Sequence, residues 1–70
     1  MDSIRNEIRR LRFEHGEMTQ QELAEKIHLT RQTVNAIEQG KYSPSLEAAF
    51  RIAAVFRKPL ESVFHYSNNE

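Results

Sequence analysis

The sequence predicts an all-α fold of five helices, with one short β-strand near the C-terminal end as the candidate exception. Three observations carry this. Apolar residues recur at helical spacing, as Leu23 with Ile27 and Val34 with Ile37. Hydroxyl residues stand where helices need caps: Ser3, Thr19, Thr30 and Ser45. The segments between are short, and no run alternates apolar and polar residues for long enough to build a sheet.

Taken in order, helix 1 is expected from about Ile4 to Glu14, capped by Ser3, with Ile4, Ile8 and Leu11 as its buried stripe. Gly16 ends it. Thr19 followed by Glu22 reads as a capping box that starts helix 2, with Met18 as the hydrophobic staple before it. Only Ile27, His28 and Leu29 then remain before the cap Thr30, which forces a sharp corner. Helix 3, about residues 31–38, carries Val34 and Ile37 inward and is terminated by Gly40. Gln39 to Pro44 form a loop, and Ser45 restarts a helix with Leu46, Ala49, Phe50, Ala53 and Phe56 as its core stripe. Pro59 stops that helix and opens a short fifth one, Leu60 to Val63. Phe64-His65-Tyr66 has strand-like composition. The single domain is read as residues 1–66, with 67–70 a disordered tail.

Composition narrows the chemistry. A chain of 70 residues buries roughly 60% of its unfolded surface and gains stability from dimerisation. Cysteine is absent, which excludes disulfides and thiolate metal sites. His15, His28 and His65 share no ligand spacing, so no metal or other cofactor is expected. No apolar run approaches the ~18 residues that span a bilayer, and no signal peptide is visible, so the expected location is the cytoplasm. No serine nucleophile sits in a recognisable motif, and a domain this small lacks the usual pocket, so neither enzymatic activity nor a small-molecule ligand is expected.

Two helices at a sharp corner place the second as a rigid rod that can enter a groove. The outward face of helix 3 offers Arg31, Gln32, Thr33, Asn35 and Ala36. Arginine pairs bidentately with guanine, glutamine and asparagine with adenine, and a small side chain packs on the thymine methyl. This is the arrangement of a helix-turn-helix, with its second helix in the major groove of double-stranded DNA. The formal net charge of zero, ten basic against ten acidic residues, is lower than such domains usually carry. Its distribution is uneven: residues 26–46 hold Lys26, Arg31 and Lys41 against Glu38 alone. A locally positive face on a neutral body is expected.

The stretch from Ile8 to Phe64 resembles the Cro/repressor (Xre-type) helix-turn-helix family, on the text IRRLR, MTQQELAEKI, LTRQTVNAIEQGK, PSLEAAFRIA and PLESVF. The ending resembles the small single-domain members, some of which dimerise through C-terminal β-structure. The resemblance implies base contacts by Arg31, Gln32, Thr33, Asn35 and Ala36. It implies phosphate contacts by Thr19 and Gln20 at the start of helix 2, and by Gln39, Lys41 and Tyr42 in the loop after helix 3. Arg12 and Glu38 match a structural ion pair joining helix 1 to helix 3. Two departures concern turns: His28 stands where the family often has glycine, in a turn that needs positive φ, and Glu17 looks like an insertion before helix 2.

The function this implies is a transcriptional repressor that binds a palindromic operator as a homodimer, its two half-sites about one helical turn apart. The strand-like end is expected to pair with the same segment of a second subunit, because charged Asp2 and helix-starting Ser3 offer it little; the alternative is that it folds back on its own helices and leaves a monomer that dimerises only on DNA. Leu60, Val63, Phe64 and Tyr66 then form the dimer interface. The alternative function is an antitoxin-like module that binds a protein with one face and its own operator with another. RNA binding would want exposed stacking aromatics, and only Tyr42 and Tyr66 qualify.

Overall fold

The computed structural model describes residues 3–67. Two short strands enclose five helices in the order β1 (Ser3–Asn6), α1 (Ile8–Glu14), α2 (Gln20–Ile27), α3 (Arg31–Glu38), α4 (Leu46–Phe56), α5 (Leu60–Val63) and β2 (Phe64–Ser67). Among the described residues, no helix is long and apolar enough to cross a membrane.

The caps follow the sequence closely. Thr19 and Glu22 form the expected box: the Glu22 amide donates to Thr19 Oγ1 at 3.0 Å, and the Thr19 amide donates to Glu22 Oε1 at 2.8 Å. Thr30 accepts from the Thr33 amide and Ser45 from the Ala48 amide, which starts α3 and α4. His28 does adopt positive φ, at 62°, and closes α2. Gly16 and Glu17 are both left-handed, so the extra residue before α2 is absorbed as a second positive-φ position.

The N-terminal segment departs from expectation. Ile4 to Asn6 do not open helix 1, and Ser3 is not its cap; all lie in β1. β1 pairs antiparallel with β2, Ile4 opposite Tyr66 and Asn6 opposite Phe64. The partner of the C-terminal strand is thus the chain's own beginning, and the expected pairing with a second subunit is corrected. The physical reason lies in Asn6. Its Oδ1 accepts from the Ile8 amide at 3.1 Å, and its Nδ2 donates to the Ile37 carbonyl at 2.9 Å. These bonds hold Asn6 out of the helix and tie it to the end of α3. Ile4 and Arg5 are then free to satisfy the backbone of β2, which a lone strand cannot do for itself. Ser67, expected in the tail, is the last residue of β2; 68–70 lie outside the described residues.

The core is built from Ile8 and Leu11 of α1, Leu23 and Ile27 of α2, Val34 and Ile37 of α3, and Ile52 and Phe56 of α4, all nearly sealed from solvent. Val63, expected on a dimer surface, also belongs to this core, with no exposed area. On α4 the buried stripe runs Ala49, Ile52, Ala53, Phe56. Leu46 and Phe50, expected within it, are 68% and 54% exposed. They lie on the flank of that stripe, which the i, i+3, i+4, i+7 rule places at 49, 52, 53 and 56.

Candidate nucleic-acid interface

α2 and α3 pack through Leu23, Ala24, Ile27, Val34 and Ile37, which turns the opposite face of α3 outward. Arg31 and Gln32 begin that helix and are exposed. Thr33, Asn35 and Ala36 are half-buried. The Thr33 hydroxyl lies 2.9 Å from that of Thr30 and is engaged in the cap. Thr19, Gln39, Lys41 and Tyr42 are exposed around this face, at the start of α2 and in the loop after α3. The first amides of α2 have no intrahelical acceptor, and with the helix dipole they favour an anion there.

The orientation of α3 is fixed by a fork of charge. Arg12 Nε donates to Glu38 Oε2 at 2.6 Å and Arg12 Nη2 to Glu38 Oε1 at 3.2 Å. Arg12 Nη1 donates to the Met18 carbonyl at 2.7 Å. The two side chains are 12% and 8% exposed, so the pair is largely desolvated. It joins α1, the turn before α2 and the end of α3 in one unit. Glu38 is thereby neutralised locally, and Arg31 and Lys41 add positive charge on the exposed side. Arg10, by contrast, is clamped on the surface of α1. Hydrogen bonds to Glu14 and then Glu7 raise its pKa above the ordinary arginine value.

A second set of contacts was not legible in the sequence. Gln20 Nε2 donates to Asn35 Oδ1 at 3.0 Å and to Glu38 Oε1 at 3.3 Å. Gln39 Nε2 donates to the same Asn35 oxygen at 3.3 Å. The Gln20 side chain therefore turns both its hydrogens inward, and its main-chain amide is what it offers at the helix start. The spacing of Asn35 and Gln39, one helical turn apart, was the available signal for half of this cluster. Gln20 is joined only by the tertiary fold. Asn6 was missed for the same reason.

A helix-turn-helix family profile matches residues 8–63. The chain is 43% identical over 67 residues to an HTH-type transcriptional regulator of Methanocaldococcus jannaschii, covering 96% of this chain and 100% of that one. It is 52% identical over 62 residues to an HTH-type transcriptional regulator of Methanothermobacter thermautotrophicus, covering 87% of this chain and 88% of that one. A third relative, the HTH-type transcriptional regulator YgzD of Bacillus subtilis, is 43% identical over 61 residues, 87% of this chain and 91% of its own. With α2 and α3 forming the two-helix corner inside the matched region, the chain belongs to the Cro/repressor (Xre-type) helix-turn-helix family of DNA-binding transcriptional regulators.

Proposed function

We propose that the protein is a repressor that binds a palindromic operator as a homodimer and blocks transcription by occupying the promoter. The observation that carries this reading is the exposed pair Arg31 and Gln32 on the first turn of α3. A capped, ion-paired helix holds the backbone that presents them. Arg31, Gln32 and Asn35 read base edges, with Ala36 against a thymine methyl and Thr33 beside them. Thr19, the Gln20 main-chain amide, Gln39, Lys41 and Tyr42 hold phosphates and set the register. The DNA is met in the cytoplasm.

The test is a fluorescence-anisotropy titration against a duplex selected from genomic fragments and against a scrambled duplex. Arg31→Ala and Gln32→Ala are each expected to cost about 1–3 kcal/mol on the selected duplex alone. Lys41→Ala is expected to weaken both duplexes alike and to reduce the salt slope by about one. Unchanged discrimination in both helix variants would remove α3 from the reading role.

The dimer surface is revised by the fold. Val63 is internal, and β2 is already paired on one side by β1. What remains outward is apolar: Ile4, Leu46, Phe50 and Tyr66 are exposed, and a cleft of about 270 Å³ runs between Ile4, Pro44, Leu46, Ala49, Leu60 and Phe64. Leu60, Phe64 and Tyr66 keep their proposed interface role there, joined by Ile4, Leu46 and Phe50. Contiguous apolar surface of this kind marks an association site. In sedimentation at micromolar concentration the chain is expected as a dimer and Leu46→Asp as a folded monomer with weaker operator binding. A wild-type monomer would leave the face to a different protein and favour the antitoxin-like role.

A further inference from the structure

We infer that Asn35 reads its base pair as a hydrogen-bond donor only, so that it selects guanine and rejects adenine. The inference rests on the proposed reading role of α3. It comes from a chain of polar groups whose direction is imposed at its buried end.

The chain starts at Arg12, whose guanidinium can only donate. It holds both oxygens of Glu38. The Glu38 carboxylate, almost buried, can only accept. The Gln20 amide must therefore face it with nitrogen, and it does, at 3.3 Å. That same nitrogen can only donate, so Asn35 must face it with oxygen, and it does, at 3.0 Å. Reversing either amide would set oxygen against oxygen or nitrogen against nitrogen. Gln39 Nε2 adds a second donor to Asn35 Oδ1 at 3.3 Å. A carbonyl oxygen has two lone pairs, and both are now occupied.

The other end of the Asn35 amide is left for the outside. Among the described residues, Asn35 Nδ2 makes no hydrogen bond, while every buried side-chain nitrogen and oxygen does have a partner, so Nδ2 reaches solvent. Asn35 stands one helical turn beyond Arg31, on the helix that carries the exposed pair Arg31 and Gln32. Adenine recognition by asparagine needs both ends of the amide, with Oδ1 accepting from N6 and Nδ2 donating to N7. Here the oxygen is committed inside the protein. The two hydrogens of Nδ2 match acceptors, and guanine presents O6 and N7 side by side in the major groove. Adenine would set its N6 donor against them. Gln20 and Gln39 are positioning residues in this account. They touch no base through these bonds and act by fixing which end of Asn35 points out.

The experiment is selection of bound duplexes from a randomised library with the full chain, followed by sequencing, for wild type, Asn35→Ala, Asn35→Asp and Gln20→Met. Wild type is expected to enrich guanine over adenine by about fivefold or more at one base pair per half-site. Asn35→Ala is expected to lose that preference alone. Asn35→Asp keeps an oxygen for the two glutamines and turns an acceptor outward, so preference moves to a base with an amino group, cytosine or adenine. Gln20→Met removes the one donor whose direction Glu38 fixes; the exposed Gln39 amide has no such anchor and can turn over with Asn35, so adenine is expected to be admitted at the same pair, a change that mere loss of packing would not make. Adenine at the Asn35-dependent pair in wild type overturns the inference, as does a Gln20→Met motif identical to wild type. Failure of the wild-type chain to enrich any motif would instead overturn the DNA-reading role itself.

Discussion

Glu38→Ala is expected to lower the free energy of unfolding by about 3–5 kcal/mol, because the Arg12 charge is then left desolvated without a counter-ion. The loss reaches beyond one pair. Gln20 keeps its bond to Asn35 but loses its carboxylate acceptor, and Arg12, still bonded to the Met18 carbonyl, loses the group that fixes its position. Urea unfolding followed by far-UV circular dichroism measures the change. Replacing both partners with apolar side chains, Arg12→Met with Glu38→Leu, is expected to cost less than Glu38→Ala alone, since no charge is then stranded. A double-mutant cycle that shows no coupling between the two positions would reject the account.

The second large effect is expected at Phe56, the largest of the fully sealed side chains. Its ring meets the edge of the His15 ring at 5.1 Å between centroids and lies among core residues of the other helices. Phe56→Ala is expected to cost about 3–5 kcal/mol through lost transfer energy and the cavity left behind. Domains hold roughly 0.05–0.15 kcal/mol of stability per residue, so a chain of 70 residues loses much of its margin. The variant is expected to melt far below wild type in a calorimetric scan and to lose DNA binding with α3 untouched. A melting temperature within a few degrees of wild type would show that the core closes around the gap.

Most of the fold was readable because its signals are local. The box at Thr19 and Glu22, the caps Thr30 and Ser45, and the stop at Pro59 each act within one turn of chain. The same locality explains the misreadings. Ile4 continues the spacing of Ile8 and Leu11, so a helix through all three was the natural reading. What decides otherwise is Asn6, through a bond to Ile37 that spans 31 positions. Leu46 and Phe50 are apolar and helically spaced, and only the packing of α4 shows that they face out. The candidate interface behaves alike: Arg31 and Gln32 can be placed on it by position within α3, whereas the inward turn of Gln20 depends on a carboxylate from another helix.

The β1–β2 pairing sets each terminal strand against the opposite end of the chain, Ser3 opposite Ser67. The contact joins strands separated in sequence by all five helices, whereas the α2–α3 corner closes over a few residues. The helical corner is therefore expected to form early and the strand pair late. A single cut by a protease near either end strips both strands of their partner at once, and the apolar face that Ile4 and Phe64 share is divided with them.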